Sequence, residues 1–408
     1  MKNDQSHLTF YKNFSITRGN GKLKGALVEA ENLAEATHKS IFTCHDYGSR
    51  VETPKHQHGM SLGYDAPIMV SINNPDSEPK VYFPGMHDDG RGVMQYILEV
   101  THGIHNHWKK DEDHPERWGY TYNERFASQL PFVFQRIKAD YDKKGRITGR
   151  DYHFSTWITG EDIIPEQEDP PCLQIGNIRF LMDENGQQVM NYMTIWRSRD
   201  LLKAWNENNI GQVELMKLIR DKTSDMLQIP IELGSYIDTS TSLHLYGLYV
   251  DRDNLEKQIE QMRGYKDDEE LSRKFIRRIE KREDMGFFEK LSTKRWLNSV
   301  FKHRDDRDYQ AALIELKKRW DIDMYKKNSR SLDDYFMSTS GKDKKSLKRL
   351  IAAQMDAEAK GHGLNQSEET LEKLGYDLEN FPYPEEWDTW PKSWDAEPDT
   401  SKLAEVVK

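Results

Sequence analysis

"DPPCLQIGN", residues 169–177, places one of only two cysteines in a 408-residue chain directly after two prolines. The fixed φ of each proline stiffens the backbone ahead of Cys172. The segment that follows, "LQIGNIRFLM" (173–182), is apolar and strand-like, so the thiol stands where a loop enters a predicted strand. Two readings are open for such a thiol: an inert filler or a positioned nucleophile. A nucleophile needs thiolate character, and neighbouring arginines supply it by lowering a thiol pKa from about 8.5.

Downstream, "WRSRDLLKAWNENNIG" (196–211) supplies the arginines. Arg197, Ser198 and Asp200 lie at the end of a predicted strand, "QQVMNYMTIW" (187–196), where ligand-binding groups gather. An arginine fork fits a phosphate, and the same run also fits a plain surface turn. Further on, "HLYGLYVD" (244–251) puts His244 and Tyr246 two apart on a predicted strand, on one face. They suit a sugar hydroxyl or a cross-strand packing pair.

The surrounding pattern is that of a mixed α/β unit. "GVMQYILEVTHGI" (92–104) and "SQLPFVFQRIKADYDKK" (128–144) predict helices, the second with a proline near its start. "DENG" (183–186) predicts a hairpin turn, and "IGQVELMKLIRDKTSDML" (210–227) a strong helix. "IPIELGSYIDTSTSLHLYGLYVD" (229–251) predicts a strand, whereas residues 1–40 are weakly patterned. Beyond Asp251 the chain becomes highly charged with helical spacing, which predicts solvated helix faces. The tail "FPYPEEWDTWPKSWDAEPDTSK" (381–402) lacks periodicity, and its three tryptophans favour a strap laid on the core. The boundaries read 1–250 for a catalytic core, 251–375 for a helical extension and 376–408 for an acidic Trp/Pro-rich tail.

Composition narrows the function classes. Formal net charge is −10 and 31% of residues are charged, with a mean hydropathy of −0.89. No direct nucleic-acid partner is expected, since coating a polyanion needs a basic face. No apolar run reaches a membrane span and no signal peptide is visible, so a cytoplasmic protein without a membrane partner is expected. "THGIHNHW" (101–108) raises the question of a metal, yet nothing near His102, His105 and His107 completes a ligand spacing, and no metal is expected. "GNGKLKG" (19–25) matches no phosphate-loop pattern and predicts a turn.

Taken in order, "PPCL", "RSRD", Asn208 eleven residues after Arg197, and "HLY" resemble the thymidylate synthase superfamily. That family runs Pro-Pro-Cys, Arg-Ser-x-Asp, an Asn near the start of a long helix, then His-x-Tyr. "AWNENNIG" (204–211) is similar to its archaeal-type members. "WGYTYNERF" (118–126) resembles the family's Tyr-Gly-x-Arg segment and makes Tyr122 the matching tyrosine. "GRDYHFSTW" (149–157) resembles Arg-Arg-(five)-Trp, with Arg150 seven before Trp157, and "YILEVTHG" (96–103) points to Glu99. The resemblance covers residues 41–251.

It implies a homodimer of thymidylate-synthase-like α/β (α+β) fold, with a mixed central sheet and an added helical C-terminal extension. In that family the cysteine adds to C6 of a pyrimidine deoxynucleotide, and C5 takes one carbon from 5,10-methylenetetrahydrofolate, the cosubstrate. Carried over, Cys172 is the covalent catalyst. Arg197 and Ser198 belong to the substrate site, where Arg197 and Arg150 of a partner subunit would hold the phosphate, with Arg50 or Lys55 as a further cation. Asn208 would read the uracil edge, an amide both donating and accepting. His244 and Tyr246 would hold the 3′-hydroxyl, Tyr122 would assist proton removal at C5, Glu99 would order a relay water, and Asp200 would face the folate.

Three departures bear on the product. Leu173 stands where bacterial members have His, Asp151 replaces the second Arg of the pair, and the family's short closing segment is not recognisable. In the family, hydride delivery to a C5 methylene gives dTMP, and water addition gives 5-hydroxymethyl-dUMP. A synthase must exclude water until hydride transfer. The chain therefore most resembles phage-type deoxyuridylate (dUMP) hydroxymethylases, acting in the host cytoplasm if phage-encoded. Thymidylate synthase is the first alternative, and a non-catalytic nucleotide-binding or assembly protein on this fold is the second.

Overall fold

In the computed structural model, residues 23–54, 60–110, 118–164, 170–251, 254–264, 268–302 and 307–398 are described. The chain opens with β1 (Ala26–Ala30), α1 (Leu33–Tyr47), β2 (Ser49–Pro54), β3 (Met60–Ile72), β4 (Val81–Tyr82) and α2 (Gly90–His102). Next come α3 (Tyr122–Phe126), α4 (Leu130–Lys144), β5 (Tyr152–Ser155), α5 (Thr159–Asp162), β6 (Leu173–Met182), β7 (Gln188–Trp196), β8 (Arg199–Asp200), α6 (Trp205–Leu227) and β9 (Ile231–Leu245). The remainder is α7 (Gly247–Asp251), α8 (Leu255–Arg263), α9 (Asp268–Lys281), α10 (Phe287–Lys302), α11 (Arg307–Asn328), β10 (Ser329–Arg330), α12 (Leu332–Ser340), α13 (Lys344–Ala359) and α14 (Glu368–Lys373).

The architecture is mixed α/β. One sheet runs β1-β3-β9-β7-β6-β5, with β2 paired to β3 and β8 to β9. β1–β3 and β7–β9 are parallel, and β3–β9, β6–β7 and β5–β6 antiparallel, so the sheet is mixed as expected. Strand β7 shows the governing alternation: Gln188, Met190, Tyr192, Thr194 and Trp196 are buried, and the residues between are half-buried. The buried set meets the helical layer, where Tyr192 Oη donates to Gln212 of α6 at 2.8 Å. The other face presents Ile175, Met193, Ile195 and Ile237, half-buried and in mutual register, with Met69 44% exposed beside them.

Two expectations need correction. Residues 26–40, read as weakly patterned, form β1 and most of α1, which runs on to Tyr47. The last strand stops at Leu245, so Tyr246 stands just past it and α7 follows; Gly247 begins that turn of helix.

The C-terminal helices share the core of the rest. Trp320, Phe336, Leu347 and Trp387 belong to one buried cluster with Phe42, Tyr82 and Ile97. β10 pairs with β4, Ser329 opposite Tyr82. His38 bonds Tyr82 through Nδ1 and Asp321 of α11 through Nε2, both at 2.8 Å. The tail is laid on the helices: His102 Nε2 donates to Glu386 O at 2.7 Å, Lys348 to Asp388 at 2.6 Å, and Trp394 packs on Phe134. Among the described residues no helix is long and apolar enough to cross a membrane.

Candidate active site

Adjacent strand ends carry Cys172, Arg197, Ser198, Asp200, His244 and Tyr246. Cys172 precedes β6 directly, and Leu173 stands opposite Trp196, the last residue of β7. The Arg197 N–H donates to Cys172 O at 2.8 Å. Its side chain turns back on the diproline, Nε donating to Pro171 O at 3.2 Å and Nη2 to Pro170 O at 2.5 Å. Thr241 of β9 donates to Arg197 O at 2.7 Å. Arg197 thus clamps the backbone that carries the thiol. The two cysteines differ sharply. Cys172 is half-buried, whereas Cys44 is fully buried, its thiol pushed far up by burial and then by Asp65.

Tyr122 opens α3, whose cap Thr121 accepts the Glu124 N–H at 3.2 Å. Its ring meets Trp196 edge-on at 5.6 Å. Burial raises its phenol well above the ordinary value; nearby Tyr120, Cys172 and Tyr96 add to this, and the Leu173 backbone draws it back. The phenol therefore stays protonated beside Cys172 and is a proton donor until a base reaches it.

Asn208 lies in the first turn of α6, its amide beside the phenol of Tyr96 on α2. Tyr96 and Glu99 are three apart on that helix and share a face. The Tyr96 phenol is raised by burial and then by the Glu99 charge. Glu99 also meets His105 Nδ1 at 3.2 Å, and His105 stacks on Trp108 at 3.8 Å. The helices approach closely because residue 211 is glycine: a Cβ there would lie 2.8 Å from the Tyr96 ring.

Asp200 pairs in register with His244 across β8 and β9. Its Oδ1 accepts the Leu202 and Lys203 N–H groups at 2.9 and 3.1 Å, and its Oδ2 accepts Tyr249 Oη. Those three bonds take about three of a carboxylate's four lone-pair sites. His244 is held below its usual pKa by burial, against Asp200 and Asp65. Its Nε2 is buried without a hydrogen-bond partner, and its ring lies 4.4 Å from that of Tyr246. Ser198 is half-buried in the link between β7 and β8.

Two of the expected cations, Arg150 and Arg50, stand apart from this group. Arg150 is exposed ahead of β5. Because β5 runs antiparallel to β6, Ser155 rather than Arg150 lies toward Cys172; β5 itself carries the chain roughly 10 Å away before Arg150. Asp151 pairs with Arg136. Arg50 is drawn over the Tyr64 ring at 4.1 Å and toward Glu256 at 3.7 Å. Lys55 lies outside the described residues. No group of three or more metal-ligating side chains occurs among the described residues.

Sequence reasoning missed the support beneath the site. Arg199, buried between Ser198 and Asp200, pairs with buried Asp238 at 3.1 Å and donates to Asn209 Oδ1 at 2.8 Å. Asp238 also accepts Trp205 Nε1 at 2.9 Å and Thr194 Oγ1 at 3.0 Å. Glu207, next to Asn208, accepts the N–H groups of His87 and Asp88 at 2.6 and 2.7 Å. Burial pushes its carboxyl up to about 7. The only linear signal was polar residues at inward-facing positions.

The chain matches no protein-family model and no curated protein. Among solved structures it is similar to thermostable thymidylate synthase A from Bacillus subtilis, at 15% identity and a TM-score of 0.40, over 56% of this chain and 84% of that one. The chemistry of the site rests on its own residues.

Proposed function

We propose that the protein transfers one carbon from 5,10-methylenetetrahydrofolate to C5 of dUMP, with Cys172 as the covalent catalyst, to give 5-hydroxymethyl-dUMP. The observation that carries this reading is the junction of Cys172, Arg197 and Tyr122 at the paired ends of β6 and β7. A half-buried thiol, a cation and a protonated phenol together suit nucleophilic addition followed by proton transfer. Arg197 binds the phosphate and holds the thiol's backbone. Asn208 orients the uracil, its amide lying beside the Tyr96 phenol. His244, with an unpartnered buried Nε2, and Tyr246 take the 3′-hydroxyl. Glu99 takes part in proton relay, and Asp200 meets the folate, which supplies the carbon when bound.

The hydroxymethyl outcome is favoured by the described part of the tail. It lies on α2, α4 and α6, reaching Lys222 through Asp395, about 21 Å along α6 from Asn208. Water-excluding closure is not its evident job there. A homodimer is proposed through the apolar face of Ile175, Met193, Ile195 and Ile237, with Arg150 serving the partner's phosphate site.

The test is to incubate the protein with dUMP and methylenetetrahydrofolate and weigh the nucleotide. The expected product carries a hydroxymethyl group, with tetrahydrofolate released. A methyl group with dihydrofolate absorbance would assign the synthase reaction instead. Cys172→Ala should abolish turnover, and retained turnover would refute covalent catalysis.

A further inference from the structure

A cleft of about 570 Å³ lies among α8, α9 and α11, closed at one end by Pro84 of the core. None of the residues assembled around Cys172 lines it. Its charged lining is Lys274, Arg277, Arg278 and Lys327, with no carboxylate. Arg278 and Lys274 have carboxylate partners outside the lining, Asp323 at 2.5 Å and Glu270 at 3.0 Å. Arg277 and Lys327 are exposed and form no ion pair among the described residues. In a chain of net charge −10 this gathers four cations on one concavity, with their carboxylate neighbours Glu270, Asp323 and, near Arg277, Glu280 outside its lining.

The rest of the lining is not that of a bare anion site. Met262, Met324 and Trp320 make an apolar floor, and Gln258, Gln261 and Asn328 supply amides that both donate and accept. Trp320 is locked in place, Nε1 donating to Met262 O at 3.1 Å and its ring covered by the Arg278 guanidinium at 4.2 Å. The volume falls within the range of small-molecule sites.

We infer that this cleft is a second ligand site, built for a nucleoside polyphosphate. The phosphates lie on Arg277, Lys327 and the outer edges of Lys274 and Arg278, where guanidinium forks suit phosphate oxygens. The base lies on the methionine floor, and its polar edge meets the amides. This does not depend on the reaction proposed at Cys172.

Calorimetric titration of the full chain with dTTP, ATP and inorganic tripolyphosphate tests it. The expected result is one nucleoside triphosphate per chain, still bound when Arg197→Gln removes the phosphate contact at the other site. Arg277→Glu with Lys327→Glu should weaken binding at least about tenfold at an unchanged melting temperature, both residues being exposed. The Arg277→Gln, Lys327→Gln pair should give an intermediate loss. Undiminished affinity after charge reversal would overturn the proposal, as would loss of binding in Arg197→Gln. Tripolyphosphate binding as tightly as dTTP, or a deoxythymidine oligonucleotide binding more tightly, would overturn the nucleotide assignment.

Discussion

Glu207 is a carboxyl whose protonation is set by its surroundings. It is 6% exposed, and burial raises its carboxyl from 4.5 to about 7 while two backbone N–H groups oppose the rise. The fold binds this proton more tightly than the unfolded chain does. Its stabilisation is therefore fully present below about pH 4.5 and is lost as pH climbs through about 7, a change of order 3 kcal/mol. Glu207→Gln keeps an acceptor for His87 and Asp88 and cannot ionise. Urea unfolding should show wild type losing about 3 kcal/mol relative to the variant between pH 4.5 and 8; a constant difference would sink this account. Groups such as Glu207, Arg199 and Tyr96 were not legible in sequence, because their roles come from partners brought near by folding. The placement of Cys172, Arg197, Asn208 and His244 was legible because each stands at a strand or helix end, where linear order survives into geometry.

Among elements, the crossing of α2 and α6 sets the distance between Glu99 and Asn208. Gly211 faces α2 at the crossing, where a Cβ would meet both Tyr96 and Val100. Gly211→Ala would place a methyl against the Tyr96 ring and wedge the helices apart. The expected cost is about 1–3 kcal/mol, read as a lower melting temperature, and turnover should fall more than the affinity for dUMP. An unchanged melting temperature would show that the ring simply moves aside. Element prediction worked where one face was buried, as in β7, and failed for α1. There Thr37, His38, Ser40 and Thr43 are buried alongside Leu33, Ile41 and Phe42, so polar residues occupy core positions and erase the apolar period. His38 is satisfied only by Tyr82 and a helix late in the chain.

At the scale of the whole molecule, the half-buried sheet face of Ile175, Met193, Ile195 and Ile237 is the surface the proposed dimer would use. Ile195 lies at its centre, opposite Ile175 on one side and Thr239 on the other. Ile195→Asp would bury a charge in any such interface while costing a monomer little. Sedimentation should show a dimer for wild type and a monomer for the variant, with folding retained; a monomeric wild type would refute the proposed face.

The pairing of β10 with β4 and of His38 with Asp321 also governs how the protein is born. His38 and Asp321 are 283 residues apart. A ribosome adding roughly 5–20 residues per second emits the first long before the second. Throughout that interval the nascent amino-terminal half carries a buried-type histidine and tyrosine with their cover still unmade. Translation stalled between the two would release a chain that exposes this seam, so quality-control proteases and chaperones should meet truncated forms of this protein far more often than its finished one.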